Sequence, residues 1–582
     1  MKYPKIKTML VLSGFLALLS FGGLIFPYFR PGVPYTHDGN NHLVRFANYR
    51  VAVREGQFPP RFAPNLFNRY GYPVFNYNYP LANLLSLPLS FAGINYQLTF
   101  KLLMIGFFVL GGVGLWRWIE LLGVKSRSAK LLALACFYSA PFTVNLIYVR
   151  GNIGEVMALN LLIWLFVLVE RLRINKDKQN RKPVPLASIP KLKTLLFLML
   201  GAFYILSHNV TVLFGTGIWL IYGFIRLRWN KSSKNRDKKI SLSRPLRLIQ
   251  EQAYLQLVLF LLAWIALGLW FWLPALWEKG EVVLDQVSLS QNFADHFPTA
   301  SQLLFSPLEF GFSYPGSVDS LSFSLGLAGL LALISASWFV KKLKPAWRLI
   351  IGLSWLLILF QLSLTRSVWL LIPFGNYIQF PWRLSLFFVI FASSLVGFIS
   401  QKKRVRWALL VVIAWQVVSV WKFSPVDYRN LKSIDYDANA ESSTTLNENR
   451  VKGFEYSQIA DWQPSPKILE GQGIIEVQNW RGSSRQYKLV LQQKSTIVEP
   501  TMKFAGWVTT ANDQQVEYLD NPDILGRLAY QLPAGTYQIK SRFTQQTTAR
   551  LVGNSVSALA WLTFIVFGLL RFKLLVPLKK NE

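Results

Sequence analysis

The chain has 582 residues, of which 52% are hydrophobic and 15% aromatic. The apolar residues come in blocks of roughly 20, the length of a transmembrane helix, so the class of soluble globular proteins is excluded. A net charge of +33 reflects Lys and Arg gathered in the cytoplasmic loops of a membrane protein, and does not indicate a nucleic-acid partner. The single cysteine, Cys136, excludes intrachain disulfides and a cysteine metal site.

The first apolar block, Met9 to Phe26, follows three lysines near the N-terminus. It is predicted to be an uncleaved signal-anchor, and a cleaved signal peptide is the alternative. In both cases the loop over residues 28–97 lies outside the cytoplasm. This long first outer loop begins with His37 and Asp38.

Residues Asn40 to Gln57 have apolar side chains near helical spacing, which favours a helix on the membrane surface. Asp38 would then lie at its N-terminus, where a plain capping role is the alternative to a catalytic one. Aromatic residues from Tyr70 to Tyr79 are typical of an interfacial belt, and stacking on a sugar ring is the second interpretation. The basic residues of the loop are all arginines, which bind phosphate or carboxylate with two nitrogens: Arg30, Arg45, Arg50, Arg54, Arg61 and Arg69.

The apolar blocks predict about 12 transmembrane helices. The seven connections assigned to the cytoplasm hold 36 of the 62 Lys and Arg residues and three acidic residues. This asymmetry predicts that both termini are cytoplasmic. The predicted spans are 8–27, 98–119, 129–148, 153–170, 192–207, 210–225, 255–273, 320–340, 347–364, 383–400, 406–421 and 554–572.

That topology places several scattered polar residues on the outer face of the membrane. Polar residues at span edges are costly and therefore suggest function. Each also has a structural interpretation: Glu155 could pair with Arg150, Arg383 could be an interfacial anchor, and His208 could be a packing histidine. The residues that converge are His37, Asp38, Arg150, Asn152, Glu155, Ser207, His208, Asn209, Glu278, Lys279, Asp295, His296 and Arg383.

The composition changes at about residue 422, where Ser, Thr, Asn and Gln replace the apolar blocks. Short alternating runs separated by Gly and Pro turns predict an extracytoplasmic β-sandwich. The predicted domains are a transmembrane module over 1–421, the β-sandwich over 422–553, and a C-terminal transmembrane anchor with a basic cytoplasmic tail over 554–582. The β-sandwich holds no cluster of catalytic residue types.

Motifs across most of the chain resemble a known group of proteins. The runs THDGNNHL, YGYPVFNYNYP, VRGNIGE, LSHN and FPWR are similar to those of bacterial membrane proteins labelled "6-pyruvoyl-tetrahydropterin synthase-related". An acidic residue in the first outer loop also resembles the GT-C glycosyltransferase superfamily. The predicted fold class is therefore mainly α, a polytopic, GT-C-like membrane protein with a C-terminal β-sandwich before the last helix.

This resemblance implies roles for individual residues. Asp38 matches the catalytic acid and would be the general base, with His37 beside it and Glu155 as a further carboxylate. The first loop has no second acidic residue paired with Asp38, so no cofactor is expected to be required, and a divalent metal is the less favoured alternative. The donor phosphate or substrate would be bound by Arg45, Arg150, His208, Asp295, His296 and Arg383.

The predicted function is transfer of a sugar from a polyprenyl-phosphate-linked donor at the outer face of the cytoplasmic membrane, with inversion. The acceptor is a glycan, a lipid or a protein of the cell envelope. Two alternatives are a non-catalytic assembly or adhesion factor for surface glycans, and a lipid-linked glycan transporter. A transporter predicts polar residues at mid-membrane and related halves, and the sequence has neither feature.

Overall fold

The computed structural model is mainly helical, as the apolar blocks predict. Each block buries its backbone polar groups within one helix, which is the arrangement that a bilayer demands. The cytoplasmic connections predicted over 171–193, 226–247 and 571–580 lie partly outside the described residues. The structure describes residues 4–179, 191–228, 244–287, 293–316, 318–438, 441, 443–455, 457, 462–520 and 522–573.

The first half of the chain contributes eleven α-helices among the described residues. They are α1 (Pro4–Ile25), α2 (Gly39–Arg54), α3 (Val74–Tyr77), α4 (Leu81–Phe91), α5 (Tyr96–Leu121), α6 (Arg127–Ser139), α7 (Pro141–Asn145), α8 (Ile153–Gln179), α9 (Lys191–Ile205), α10 (Asn209–Arg228) and α11 (Arg244–Trp277).

The second half adds the remaining helices, several of them short and on the outer side of the predicted topology. They are α12 (Leu284–Val287), α13 (Ala300–Leu304), α14 (Leu327–Trp338), α15 (Pro345–Leu359), α16 (Arg366–Leu371), α17 (Ser385–Ile399), α18 (Lys403–Lys422), α19 (Ser433–Asp437) and α20 (Thr548–Lys573).

The described helices account for part of the predicted spans. Eight helices of the described residues are long and apolar enough to cross a membrane, and two bent pairs raise this to ten. One pair bends by 46° within the third predicted span, and the other by 93° between α15 and α16. The fifth and eighth predicted spans contain the shorter apolar helices Leu192–Ile205 and Leu327–Trp338. A multi-pass protein is confirmed, whereas twelve spans stay a prediction.

The C-terminal region is rich in β-structure. The strands are β1 (Val33–Pro34), β2 (Tyr428–Arg429), β3 (Lys467–Glu470), β4 (Gly473–Trp480), β5 (Ser484–Leu491), β6 (Ser495–Met502), β7 (Trp507–Ala511), β8 (Gln514–Gln515), β9 (Arg527–Leu532) and β10 (Gly535–Phe543). One sheet has the order β4-β5-β10-β7-β8 and the other β3-β6-β9, and all their pairings are antiparallel. Both sheets contribute to one buried apolar cluster, and the sandwich itself stays a prediction.

The first outer loop is buried in protein, which corrects two expectations. Helix α2 forms as predicted, yet most of its residues are buried against α4, α5 and α19, so it does not rest on the membrane surface with one face exposed. The aromatic run is likewise buried, with Tyr72 fully covered and Tyr79 8% exposed. An interfacial belt would leave those rings at the protein surface, so that interpretation is wrong.

The residues after α18 and the β-region cover this loop. Strands β1 and β2 pair Val33 with Arg429, and the Phe62 ring packs edge-on against Trp507 with centroids 5.7 Å apart. Glu278, at the end of α11, accepts a hydrogen bond of 2.8 Å from Arg550 Nη2 at the start of α20. The loop, the β-region and the last helix are therefore packed as neighbours.

Candidate active site

The head of the first outer loop is fixed by backbone hydrogen bonds to the turn between α7 and α8. The amide N–H groups of His37 and Asp38 donate to the carbonyls of Val149 and Arg150, both at 2.9 Å. Gly151 ends this turn in the left-handed conformation with φ of +61°. A Cβ at Gly151 would lie 2.0 Å from Thr36 Oγ1, so this close approach requires glycine.

Asp38 precedes α2, but its side chain makes no capping hydrogen bond. Thr36 Oγ1 instead accepts from the Gly39 amide at 3.0 Å. The half-buried Asp38 carboxylate accepts from Asn152 Nδ2 at 3.0 Å through Oδ2, and Oδ1 has no hydrogen-bond partner among the described residues. The carboxylate is thus oriented by one residue and keeps one oxygen for another group.

Asn152 links Asp38 to the rest of the site. Its Oδ1 accepts from the Glu155 amide at 2.9 Å, which caps the N-terminus of α8. The same Oδ1 accepts from the Tyr79 hydroxyl at 3.1 Å. One amide side chain therefore fixes Asp38, Tyr79 and the first turn of α8 together.

A buried ion group lies beside this link. Arg150 donates to Glu155 through Nε at 3.0 Å and through Nη2 at 2.8 Å, a two-pronged contact. Arg383 Nε lies 3.2 Å from Glu155 Oε1, and Glu155 is fully buried. The structure contains the ion pair that the sequence suggested, and it adds Arg383, whose 8% exposure argues against a role as an interfacial anchor.

The two guanidinium groups are not fully used by protein partners. Arg383 Nη1 donates to Ile378 O at 3.1 Å and to Gln379 Oε1 at 2.6 Å. Arg150 Nη1 and Arg383 Nη2 have no hydrogen-bond partner within the described part of the chain. The two guanidinium groups and the Glu155 carboxylate sum to +1, which the Asp38 carboxylate balances, and the unused nitrogens can donate to an anionic ligand.

His208 lies on the other side of Glu155. Its Nδ1 accepts from the Thr211 amide at 3.2 Å and thereby caps α10, so the neutral ring carries its proton on Nε2. Nε2 is 3.9 Å from Glu155 Oε1. Burial lowers the pKa of His208 to about 3, although Glu155 opposes that effect. At neutral pH His208 is an uncharged, hydrogen-bonded histidine.

His37 faces the outer loop that follows α13. Its ring stacks on Phe312 with centroids 4.5 Å apart and meets the edge of Phe310. Burial and the Arg150 guanidinium together lower the pKa of His37 to about 4, against the opposing effect of the Asp38 carboxylate. His37 is therefore neutral at pH 7, and the two phenylalanines cover it.

Comparisons with known proteins found similar solved structures but no matching sequence family. No protein family matches the chain, and no curated protein does. The structure is similar to the arabinofuranosyltransferase AftD from Mycobacteria, with 13% identity over 72% of this chain and 26% of that one, at a TM-score of 0.39. It is also similar to the Archaeoglobus fulgidus oligosaccharyltransferase in the apo form, with 11% identity over 75% of this chain and 56% of that one, at a TM-score of 0.41. The chain matches about a quarter of the first protein and about half of the second. The resemblance to pterin-synthase-related proteins gains no support from these comparisons.

Three of the predicted substrate-binding residues lie away from the ion group. Arg45 donates to the Ser443 carbonyl and, at 3.4 Å, to Asn78 Oδ1, so protein groups occupy it. His296 Nδ1 is 3.0 Å from Ser313 Oγ, and its ring meets the edge of Phe380, on which Arg383 stacks. Asp295 is exposed beside His296. His296 and Asp295 thus border the site through Phe380, and Arg45 lies in the packing of α2.

The arginines of the first outer loop do not form one phosphate-binding cluster. Their protein partners are scattered, although Arg50 and Arg54 both lie over the Phe91 ring, and the spacing of arginines along a sequence does not reveal these partners. The partners are Tyr428 for Arg30, Ser443 for Arg45, Tyr96 for Arg50, Phe91 for Arg54, the Trp270 carbonyl for Arg61 and Trp462 for Arg69.

Two residues of the site have no specific role in the sequence predictions. The sequence places Tyr79 in an aromatic belt, and it places Asn152 among the polar residues of the outer face without a catalytic or binding role. The signal for Asn152 is its place directly before the helix that carries Glu155, which is an N-cap position. Among the described residues, no group of three or more His, Cys, Asp or Glu side chains could hold a metal ion.

Proposed function

We propose that this protein is a membrane glycosyltransferase that uses a polyprenyl-phosphate-linked sugar as donor. The observation that supports it most strongly is the half-buried Asp38, held by Asn152 next to a buried ion group with unused guanidinium nitrogens. Asp38 supplies a base, and Arg150 and Arg383 supply positive charge for a phosphate. The likenesses to solved structures do not bear on this assignment.

The reaction follows from these groups. Asp38 Oδ1 takes the proton from an acceptor hydroxyl while the acceptor oxygen forms a bond to the anomeric carbon. The bond from that carbon to the phosphate oxygen breaks, and the phosphate leaves with the electron pair. Arg150 and Arg383 stabilise the negative charge that develops on the leaving oxygen. Attack from the side opposite the phosphate inverts the anomeric configuration.

In this scheme Glu155 holds the arginines and does not take a proton. It is fully buried and already contacts both guanidinium groups, so an acceptor hydroxyl cannot reach it without breaking the ion group. The His37 ring packs against Phe310 and Phe312 and bounds the site beside Asp38. The outer face of the cytoplasmic membrane is the proposed location, with the β-region on the same side.

The test is turnover of polyprenyl-phosphate and polyprenyl-diphosphate sugars by the purified full-length protein with hydroxyl acceptors. We expect the wild type to consume one of these donors and Asp38→Asn to be slower by about 10²–10⁴-fold, the usual contribution of a general base. Asp513→Asn is the matched control, because Asp513 is 80% exposed in the β-region. Chelation of divalent metals with EDTA is expected to leave turnover unchanged.

Equal turnover by wild type and Asp38→Asn would contradict the role of Asp38. Retention of the anomeric configuration in the product, determined by NMR, would contradict direct displacement. If the folded wild type consumes none of the donors, the non-catalytic assembly factor becomes the better explanation. Movement of intact lipid-linked glycan across vesicle membranes without its consumption would instead favour the transporter.

A further inference from the structure

A groove of about 640 Å³ lies on the outside of the helical region, far from the proposed active site. Helices α1 and α5 both pack against α6, and the groove runs between them with α6 as its floor. Its walls are apolar along most of its length, and Arg117 stands at one end. The lining includes Gly14, Leu18, Val109, Val113, Leu134 and Tyr138.

Small residues create this groove. A Cβ at Gly14 would meet only Leu131 Cδ1, at 3.9 Å, so the space above Gly14 is open. Leu18, with 73% exposure, and Val113, with 48%, form raised edges on either side. An unbranched hydrocarbon chain fits between such edges and gains dispersion contacts on both sides.

The length of the groove matches one membrane leaflet. Val109 and Arg117 are eight residues apart on α5, or about 12 Å at 1.5 Å per residue. One leaflet provides roughly 15 Å of hydrocarbon. Arg117 is 21 residues from Tyr96, about 31 Å along the helix, and the Tyr96 hydroxyl contacts Asp437 next to the first outer loop. The groove therefore opens at the membrane surface opposite the proposed active site.

The end of the groove at Arg117 is basic. Lys125, on the turn that follows α5, and Arg127, the first residue of α6, are exposed. Lys130 lies 4.3 Å from the centre of the Trp116 ring and donates to Glu120 at 2.8 Å, and Arg117 donates to the same carboxylate at 3.1 Å. These four cations exceed the single carboxylate of Glu120, so the groove end attracts negative charge.

We propose that this groove binds an anionic phospholipid of the adjacent leaflet. One acyl chain lies between α1 and α5, and the phosphate contacts Arg117, Lys125 and Arg127. Basic groups at the headgroup level between transmembrane helices recognise anionic headgroups in this way. The groove opens to the leaflet along its side, which allows a lipid to enter from the bilayer.

The experiment is native mass spectrometry of the full-length protein exchanged into phosphatidylglycerol or phosphatidylcholine with identical acyl chains. Wild type is expected to retain one phosphatidylglycerol and to prefer it over phosphatidylcholine. Gly14→Leu, which fills the open space, is expected to lose that retained lipid. Gly106→Leu is the matched control, since Gly106 is exposed on α5 outside the groove and has open space around it.

Arg117→Gln tests the headgroup contact separately from the fit of the chain. We expect it to retain lipid but to prefer phosphatidylglycerol about fivefold less, the effect of one arginine near an anionic surface. Absence of a retained lipid on the wild type would overturn the proposal. So would equal retention by Gly14→Leu and Gly106→Leu, or an unchanged headgroup preference in Arg117→Gln.

Discussion

Asn152 combines a helix cap with two side-chain contacts, and substitution can separate the cap from the contacts. Its Oδ1 caps α8 and accepts from the Tyr79 hydroxyl, and its Nδ2 orients Asp38. Serine is about as good an N-cap as asparagine, but it is too short to reach Asp38. Asn152→Ser is therefore expected to keep the cap and to lower kcat by about tenfold or more, because a misplaced base loses much of its effect.

Asn152→Ala is the companion variant, since it loses the cap as well and is expected to be less stable than Asn152→Ser by about 1 kcal/mol. Thermal unfolding in detergent and steady-state turnover measure the two effects. If Asn152→Ser retains full kcat, Asn152 has only a structural role and the orientation of Asp38 has another source.

His208 makes the stability of the folded protein depend on pH. Its pKa is about 3 in the folded protein and about 6.5 in an unfolded chain. The unfolded state thus binds the proton more strongly, so the contribution of His208 to stability is complete above pH 6.5 and is lost as the pH falls toward 3. Asparagine keeps an N-cap and removes the titrating ring, so the fall in thermal midpoint from pH 7.5 to 5 should be smaller in His208→Asn. An equal fall in both proteins would contradict this assignment.

At the scale of elements, the turn between α7 and α8 positions the site. It contains a π-helical segment, Leu146–Arg150, and ends at Gly151 in the left-handed conformation. Gly151→Ala places a methyl group against Thr36 in addition to the left-handed strain of about 1–2 kcal/mol. We expect this variant to lose both stability and turnover, because backbone hydrogen bonds to this turn hold His37 and Asp38 in place.

Gly93→Ala separates the two causes. Gly93 also has a positive φ, of 85°, but a Cβ there meets nothing within 4 Å. It should show the backbone strain alone and keep its turnover, as measured by the same unfolding and turnover assays. Equal behaviour of the two variants would show that contact with Thr36 does not matter for the site.

The helices were easier to predict than the partners of their polar residues. The length of an apolar block fixes a helix such as α5 or α17, but it does not show that α14 is only 12 residues long or that α15 and α16 bend by 93°. The predicted topology places Arg150, Glu155 and Arg383 on the same membrane face, and the structure brings them into contact. The hydrogen bond from Arg45 to the Ser443 carbonyl could not be predicted, because the two residues are 398 positions apart in the sequence.

At the scale of the whole molecule, the β-region and the first outer loop depend on each other. Gln57 Nε2 donates to Ser483 Oγ at 2.7 Å, and the Met502 amide donates to the Tyr70 carbonyl at 2.9 Å. Removal of residues 422–553 would expose the loop that carries Asp38, so loss of activity after such a deletion would not distinguish an enzyme from an assembly factor. A single substitution at the junction is the better probe.

Glu278→Gln is that probe. The Glu278 carboxylate accepts from Arg550, Asn76 and Thr547, and Arg550 is fully buried. Loss of the carboxylate charge leaves a buried guanidinium without its counter-ion, which costs about 3–5 kcal/mol. Glu281→Gln is the matched control, since Glu281 is exposed three residues further on and should stay within about 0.5 kcal/mol of the wild type.

The expected signature is faster protease cleavage in both the first outer loop and the β-region of Glu278→Gln, with a parallel loss of donor turnover. Both effects follow because Asn76 and Thr547 bind the same carboxylate from opposite sides of the junction. Faster cleavage of the β-region alone, with turnover unchanged, would show that the loop holds Asp38 in place without support from the β-region.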